Sequence, residues 1–522
     1  MPALPVLDWL VILAYFAATA WIAWAVGQKS RTTEGYFLGG RSLPGWVVGF
    51  SIAGAAISSI TFLALPADAF KTAWLRMLPN LVLPLGVLAG SRYFLHFYRD
   101  GRTTTAFEFL ERRFGPSTRL YGAFTFLVGQ LLRISIILFL LGQLTHELTG
   151  LSPTASIIVS GLFVSAYTVV GGIAAVVWTD VVQTVILALG GLVCLAIVAA
   201  QLPGGLFEIL AVAWAHDKLS FFDLAPGGAL QPTRLGLTLS EKSVAMMLVV
   251  GASHWLGEYA CNQNVVQRYC ATASTHEARR ALWIGCAWMI PIWLVFQLLG
   301  TALWVFYQRF PTPVSTGILA GDLTAERIVP HFVVTQLPVG FTGLVVAGVL
   351  AAAMSTLDSS LNAIAAVGVV DVYRRHVARS TDDRRDLRVA KAISCFAAVA
   401  MIAGALLLLD ARTRTLQDAA TTLIALTSGG LLGLYLLGFL TRRGDGRSVA
   451  FAIAATLALS LYRAVSPASW FPAALRIPAL DAVHGYYTAL LAHVVMFTIG
   501  WLAGLALPRR ASRSTASAPS TA

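Results

Sequence analysis

The chain has 522 residues, of which 57% are hydrophobic and only 12% charged, and its mean hydropathy is +0.74. Soluble globular domains carry about a quarter charged residues, so this composition excludes a soluble multidomain protein. A net charge of +12 would suggest a nucleic-acid partner in a soluble protein. Here Lys and Arg cluster between apolar runs, as the positive-inside rule describes, so we expect a lipid bilayer as partner and no nucleic acid.

Apolar runs of about 20 residues, long enough to span a bilayer, recur from end to end. They predict an all-α, polytopic membrane protein with about thirteen spanning helices, numbered 0 to 12. The predicted ranges are 5–27, 43–70, 73–98, 117–148, 153–172, 174–201, 241–268, 278–308, 332–373, 387–409, 414–441, 446–464 and 484–507. We expect one transporter domain over residues 1–508 and a disordered cytoplasmic tail at 509–522.

Loop charges set the expected orientation. The loop between helices 8 and 9 is rich in Arg, whereas the turn between helices 3 and 4 has no Lys or Arg. Continued through alternate loops, this pattern predicts an external N-terminus and a cytoplasmic C-terminus in a plasma membrane, such as a bacterial inner membrane. The segment 103–115 predicts a short amphipathic helix ended by Gly115. The loops 202–240 and 309–331, rich in Pro and Gly, predict lids.

The five cysteines lie in or next to apolar segments without CxxC or Cys/His spacing. We therefore expect neither a thiolate metal site nor a disulfide framework. The first ten residues lack a basic region and a small-residue cleavage site, so we expect the first helix to be retained.

Val345–Asn362 in helix 8 is the most unusual segment of the chain. Small residues dominate it, and four oxygen-bearing side chains follow within little more than one helical turn: Ser355, Thr356, Asp358 and Ser359. A carboxylate at membrane depth is costly and indicates function. Because hard cations prefer oxygen ligands, this turn predicts a site for Na⁺.

Helix 1 combines Gly54, Ser58, Ser59, Thr61 and Pro66 near its middle. Such a helix breaks easily, and broken backbone inside a membrane is tolerated where it lines a cavity or a site. The alternative is close helix packing through small residues.

Two further charged residues lie within apolar segments. Asp180 stands a few residues into helix 5 and is either solvated at the interface or a partner of Asp358 and the hydroxyls of helix 8. Arg133 lies in the middle of helix 3. It either snorkels or pairs with a neighbour such as Glu258 or His254, or it is a fixed cation for a substrate carboxylate.

Six motifs resemble those of the sodium:solute symporter family, in family order: GYFLGGRSLP, ISSITFLALPADAF, TAFEFLERRFG, GGIAAVVWTDVVQ, NQNVVQRY and AAAMSTLDSSLN. That family includes sodium/glucose, sodium/proline and bacterial sodium/sialic-acid symporters. The resemblance implies the leucine-transporter fold, with inverted repeats at about 43–201 and 241–441 around a midplane site, and sodium as the coupling ion.

The resemblance also implies site residues. A first sodium would bind the carbonyls of Gly54, Ile57 and Ala352 and the hydroxyls of Ser355 and Thr356. A second sodium would use Asp180, Ser355, Asp358 and Ser359, although Asp358 stands where the sialic-acid members have Ser.

For the substrate, the resemblance disfavours sugars. Ala56 and Thr61 stand where sugar transporters have Asn and Gln, and their helix-7 Lys has no counterpart. The sialic-acid members are closer. By that match Ser58 and Thr61 would hydrogen-bond a carboxylate, Arg133 would pair with it and Asn80 would supply a polar contact. Trp255, Glu258 and Tyr259 fall at substrate or inner-gate positions.

The sequence thus predicts a sodium-coupled symporter for a small organic anion, with sialic acid or a related sugar acid as the leading candidate. A proton-coupled version would use Asp180 and Asp358 as proton carriers. An amino-acid or monocarboxylate symporter and a membrane sensor without transport also remain open. We do not expect an enzyme, because no nucleophile–base pair or HExxH motif occurs in the spans.

Overall fold

The computed structural model describes residues 4–27, 32–101, 103–225, 228–378, 382–409, 429–468 and 470–507. The helices in its first half are α1 (Val6–Gly27), α2 (Thr33–Leu38), α3 (Gly45–Ala56), α4 (Ser59–Lys71), α5 (Leu78–Leu81), α6 (Leu83–Ala89), α7 (Leu95–Asp100), α8 (Glu108–Phe114), α9 (Pro116–Thr149), α10 (Pro153–Gln201) and α11 (Gly205–Ala215). A hairpin follows, formed by the antiparallel strands β1 (Phe222–Leu224) and β2 (Leu230–Pro232). The remaining helices are α12 (Val244–Cys261), α13 (Gln263–Cys270), α14 (Thr275–Arg309), α15 (Pro313–Ala320), α16 (Ile328–Gln336), α17 (Phe341–Val367), α18 (Arg374–His376), α19 (Asp383–Leu407), α20 (Leu431–Leu440), α21 (Gly446–Val465), α22 (Pro478–Asp481) and α23 (Thr488–Ala506).

The all-α membrane fold is confirmed. Within the described ranges, nine helices are long and apolar enough to cross a membrane, and the bent pair α3 and α4 makes a tenth. Shorter or broken pieces occupy the predicted positions of helices 4, 6 and 10, namely Pro153–Ala166, α12 with α13, and α20. The start of predicted helix 10 and the tail 509–522 lie outside the described residues.

Gly172 separates predicted helices 4 and 5 within α10. Its φ of 65° and ψ of −173° interrupt the helix, and a left-handed φ of this kind favours glycine. A Cβ at this position would lie 2.9 Å from the carbonyl oxygen of Tyr36. Both the conformation and the close approach therefore require a glycine at the bend.

Among the helices that are long and apolar enough to cross a membrane in the described ranges, the span that contains α17, the predicted helix 8, is the most buried. In the span that contains it, 89% of the most apolar 18-residue window is buried, and it packs against α1, α3, α9, α10 and α19. It belongs to the centre of the bundle, so every polar side chain on it needs a partner inside the protein.

Helix α1 is joined to the beginning of α17 through Asp8, which is 1% exposed. One carboxylate oxygen of Asp8 accepts hydrogen bonds from the backbone N–H groups of Gly340 at 2.7 Å and Gly343 at 2.6 Å. An acidic group at a helix N-terminus satisfies free N–H groups and complements the helix dipole. This contact fixes the start of the helix that carries the oxygen-rich turn.

The predicted amphipathic helix is α8, which ends at Gly115 with a φ of 104°. Arg119 joins it to the far end of the α17 span, donating to Glu111 at 2.7 Å and to Asp371 at 2.6 Å. Asp371 also accepts from Thr105 at 2.8 Å. The loop between helices 2 and 3 is thereby held to the central helix.

The predicted loop 202–240 contains α11 and the β-hairpin, and Lys218 joins it to the end of α4. The Lys218 ammonium is 2% exposed and donates to the carbonyls of Phe70, at 2.9 Å, and Thr72. It also lies 5.1 Å from the ring centroid of Trp304 in α14. The loop is therefore anchored to the two helices that it covers.

Candidate functional site

The predicted break in helix 1 is present between α3 and α4. Ile57 (φ −96°, ψ 103°) and Ser58 (φ −104°, ψ 179°) are extended, and the two helices are bent by 54°. Helix α14 packs against both halves, and a Cβ on its Gly300 would lie 2.1 Å from the carbonyl oxygen of Pro66. The break frees backbone carbonyls at the end of α3 beside α17.

The residues proposed for the first sodium lie together across this break. Thr356 donates weakly to the carbonyls of Ala352 at 3.3 Å and Ala55 at 3.5 Å. A Cβ on Gly54 would lie 2.9 Å from the Ser355 hydroxyl, so the two helices touch at Gly54. Hydroxyl and carbonyl oxygens of this kind fit Na⁺, which takes the same hard ligands as other hard cations.

Asp180 forms a buried charge cluster next to these hydroxyls. It is 0% exposed and accepts from Ser51 of α3, from Ser355 of α17 and, at 3.1 Å, from Arg268 of α13. Asp180 is therefore a partner of the helix-8 hydroxyls, and the alternative of interfacial solvation is wrong. Its carboxylate connects four elements of the bundle.

Arg268 is a part of this cluster that the sequence analysis missed. It is 1% exposed and donates to Ser51 at 2.8 Å, to the carbonyl of Asn264 at 2.9 Å and to Ser359. The only signal was a single Arg within the NQNVVQRY motif, at the predicted end of helix 6. The predicted Asp180, Ser355 and Ser359 are thus brought together around a guanidinium.

Asp358 adds a second buried carboxylate to the cluster. It is 0% exposed and accepts from Ser359 at 3.4 Å. Asp180 and Asp358 thus place two buried carboxylates near the helix-8 hydroxyls. Carboxylate and hydroxyl oxygens of this kind can bind a hard cation, and a carboxylate can also carry a proton.

Helix 6 is broken too, which corrects the prediction of one continuous helix at 241–268. Asn262 is extended (φ −78°, ψ 118°) between α12 and α13, and its side chain accepts from the N–H of Asn264 at 2.9 Å. All eight residues of α13 are buried although four of them are polar or charged. The sequence signal was the polar Asn262–Asn264 triplet, which contains neither Gly nor Pro.

A cavity lies between the two breaks. Its lining comes from α3, α9, α12, α13 and α14: Ile52, Ala55, Ala56, Arg133, Trp255, Glu258, Tyr259, Asn264, Val265, Arg268 and Met289. Arg133 therefore faces the cavity together with the three helix-6 residues that the sequence analysis singled out. Ser58, Thr61 and Asn80 are not among the lining residues, so their roles stay predictions.

Arg133 is not neutralised by an acidic neighbour. Among the described residues, no carboxylate oxygen lies within 4.0 Å of its guanidinium. Glu258, the acidic partner considered for it, instead accepts from Asn262 at 2.8 Å. The arrangement leaves a partly exposed cation at the wall of an internal cavity.

Comparisons with known proteins agree with this geometry. Residues 36–443 match the model of the sodium:solute symporter family. The sodium/sialic acid symporter NanT of Aliivibrio fischeri is 26% identical over 484 residues, which cover 92% of this chain and 93% of the relative. The sodium/sialic acid symporter SiaT of Proteus mirabilis is 30% identical over 448 residues, 86% of this chain and 87% of the relative.

A solved structure of a Na⁺-coupled sialic acid symporter, in a substrate-bound outward-open state, superimposes with a TM-score of 0.85. It is 25% identical, and the match covers 97% of this chain and 98% of that one. The broken helices, the hydroxyl-lined turn and these matches lead to one conclusion. The chain belongs to the sodium:solute symporter family.

Proposed function

We propose that this sodium:solute symporter imports a small organic carboxylate, with sialic acid or a related sugar acid as the leading candidate. The observation that carries the substrate class is Arg133. Its guanidinium lines the central cavity, and none of the carboxylates in the described ranges lies within 4.0 Å of it. A guanidinium fork matches a carboxylate in two parallel hydrogen bonds, which makes Arg133 the proposed clamp for the solute.

Both relatives described above are sodium/sialic acid symporters, which makes sialic acid the first solute to test. Ser58, Thr61 and Asn80 are proposed to complete the polar contacts. Ser58 is buried at the break of helix 1, and Asn80 directly follows Pro79, whose carbonyl accepts from the Trp255 indole at 2.9 Å. Both therefore lie on elements that adjoin the cavity wall.

The proposed coupling site lies between helix 1 and helix 8. The first sodium would bind the carbonyls of Gly54, Ile57 and Ala352 and the hydroxyls of Ser355 and Thr356. The second would bind Asp180, Ser355, Asp358 and Ser359, whose carboxylate and hydroxyl oxygens are the ligand type that hard cations prefer. Support comes from the contact of Gly54 with Ser355 and from the burial of all four helix-8 side chains.

In this proposal sodium holds helix 1 against helix 8 and completes the outward-facing solute site. Inward rocking then separates the two helices and releases ion and solute. Each sodium that enters moves one positive charge inward, which is worth about 2.3 kcal/mol per 100 mV of membrane potential. Transport needs no chemical step, and we assign the chain no enzymatic activity.

We also propose that the chain lies in a plasma membrane, with its N-terminus outside and its C-terminus in the cytoplasm. The Arg-rich loop after helix 8 supports this orientation, because basic loops remain on the cytoplasmic side. The lipid bilayer is the expected partner of the apolar outer faces. In the span that contains α23, for example, only 17% of the apolar 18-residue window is buried inside the protein, so the rest is available to lipid. No nucleic acid is part of this function.

The test is uptake of N-acetylneuraminate by purified protein in proteoliposomes under an inward sodium gradient. We expect uptake by the wild type, none by Arg133→Ala and partial recovery in Arg133→Lys, which keeps the charge but loses the planar fork. A sodium-induced thermal shift in Arg133→Ala serves as the control for folding and ion binding. Normal transport by Arg133→Ala would refute the clamp.

Proton coupling is the second candidate, and Asp358 favours it. Asp358 is 0% exposed, and a buried carboxylate can carry a proton as well as bind a sodium ion. The same proteoliposomes, loaded without sodium and given an inward proton gradient, decide between them. Uptake driven by the proton gradient in the absence of sodium would show that protons, rather than sodium ions, drive transport.

A further inference from the structure

The cavity carries an anion as well as a cation. Glu258 lies on α12, four residues before the break at Asn262, and its side chain lines the same cavity as Arg133. One carboxylate oxygen, Oε2, accepts from Asn262 at 2.8 Å. Its other oxygen accepts no hydrogen bond from the described residues, so it is available to a group inside the cavity.

The other charge on the wall is already used. Arg268 lines the cavity too, but its guanidinium is engaged by Asp180, Ser51 and Ser359. Arg133 and Glu258 are therefore the two charged groups whose hydrogen-bonding capacity faces the cavity, and they do not form an ion pair with each other within 4.0 Å. The cavity offers a donor fork at one place and a charged acceptor at another.

Most of the remaining wall is apolar or aromatic, and Asn264 adds one more polar side chain. Trp255 and Tyr259 contribute rings, and Ile52, Ala55 and Met289 contribute aliphatic surface. Such a wall suits the carbon frame of a solute, while a few polar groups fix its orientation. A solute that fits must satisfy both the cation and the anion.

We infer that the solute carries hydroxyl or N–H donors in addition to its carboxylate, and that Glu258 accepts them and selects against simple anions. This inference rests on the proposed function, because Arg133 must first bind a carboxylate. A hydroxylated or amide-bearing acid satisfies Arg133 and Glu258 together. A plain monocarboxylate or a halide gains the attraction of Arg133 but meets the repulsion of Glu258 and gives it no donor.

The chemistry admits two sources of donors. A sugar acid presents neutral hydroxyl and amide groups, and an amino acid presents an ammonium group, and a carboxylate accepts from both. A hydrogen bond to a charged group is worth enough that its loss weakens binding by about 10- to 100-fold. Glu258 is therefore expected to separate solutes with donors from solutes without them, rather than sugar acids from amino acids.

The experiment measures sodium-dependent binding to the full-length purified protein with four probes. N-acetylneuraminate and L-proline carry donors, and propionate and iodide do not. We expect the wild type to bind one of the first two and to bind the last two at least about tenfold more weakly. Preference for L-proline would identify the donor as an ammonium group and would also support the inference.

Two variants test the residue. Glu258→Leu removes both charge and acceptor, and we expect about 10- to 100-fold weaker binding of the preferred solute and tighter binding of propionate and iodide. Glu258→Gln keeps one acceptor oxygen, so we expect a smaller loss together with the same gain for the simple anions. Asp322→Asn, which removes an exposed carboxylate outside the cavity, is the matched control and should bind as the wild type does.

Each result has a defined meaning. If both Glu258 variants bind the four probes as the wild type does, the inference is wrong while the Arg133 clamp stands. If the wild type binds propionate as tightly as N-acetylneuraminate, and Arg133→Ala abolishes both, the inference again fails alone. Binding of no carboxylate by the wild type would overturn the proposed function and the inference together. A sodium-induced rise in the unfolding temperature shows that a variant is folded. If Glu258→Leu does not show this rise, the binding data of Glu258→Gln test the inference instead.

Discussion

Asp180 illustrates how one residue can join several helices of a membrane bundle. Its carboxylate binds a serine on α3, a serine on α17 and the guanidinium of Arg268 on α13. Buried ion pairs contribute little net stability relative to apolar residues, but removal of one partner leaves an uncompensated charge. We therefore regard this pair as a device that sets the position of helices rather than as a source of stability.

This arrangement predicts a large effect of Asp180→Asn on stability. Arg268, which is 1% exposed, would lose its counter-charge, and the expected cost is about 3–5 kcal/mol. Thermal unfolding of the purified variant in sodium-free buffer measures it. Asp223→Asn is the control, because Asp223 is only partly buried and pairs with Lys242. An Asp180→Asn protein that unfolds at the wild-type temperature would contradict the account of this cluster.

Site residues could be predicted from the sequence where they are neighbours along the chain. Ser355, Thr356, Asp358 and Ser359 follow each other within a turn, so their oxygens and their membrane depth were visible together. Arg268 could not be assigned in this way. Its partner Asp180 is 88 positions away, and only the packing of α10 against α3, α13 and α17 brings the two together.

At the scale of the element, the two broken helices differed in how far they could be predicted. Helix 1 has Gly54, Ser58 and Pro66 near its break, which are residues that weaken a helix. Helix 6 breaks at Asn262, in a polar triplet without Gly or Pro, and the polar side chains of α13 also find partners on other elements. One of these partners is the backbone of Ala106, whose N–H donates to Gln263 at 2.7 Å.

Lys218 is a buried ionisable group in the covering loop. Burial lowers the pKa of Lys218 from its ordinary 10.5 to about 7, against the attraction of Asp68. Below pH 7 both the folded and the unfolded chain bind this proton, so the folded chain bears the cost of a buried ammonium. Between pH 7 and 10.5 the unfolded chain binds more protons, so this group's contribution to stability rises with pH.

The corresponding prediction concerns Lys218→Met. On raising the pH from 7 to 9, the wild type should gain stability relative to the variant, by up to about 1.4 kcal/mol per pH unit. Thermal unfolding at pH 6, 7, 8 and 9 measures the difference. Lys242→Met, which removes a less buried ammonium from the same region, should give a curve parallel to the wild type. Parallel curves for Lys218→Met would show that the buried amine does not titrate in this range.

At the scale of the whole molecule, composition and apolar runs were enough to predict the all-α membrane class. The described residues contain nine helices that could cross a membrane, or ten with the bent pair, so the predicted count of about thirteen stays a prediction. The family motifs supplied the arrangement, because the packing of apolar helices is not encoded in their periodicity. The breaks in helices 1 and 6 face one cavity, as expected where inverted repeats place broken helices around a central site. The roles of Ser58, Thr61 and Asn80 depend on the bound solute and stay predictions.

The central claim is that sodium binds between helices 1 and 8 and drives uptake of a carboxylate. The most direct test is the sodium dependence of N-acetylneuraminate uptake in proteoliposomes, for the wild type and for Ser355→Ala combined with Thr356→Ala. We expect uptake to require an inward sodium gradient. We also expect the half-saturating sodium concentration to be at least about tenfold higher in the variant, because each tenfold loss of sodium affinity corresponds to about 1.4 kcal/mol of binding free energy. Equal sodium affinity in the two proteins, or uptake that proceeds without sodium, would contradict the central claim.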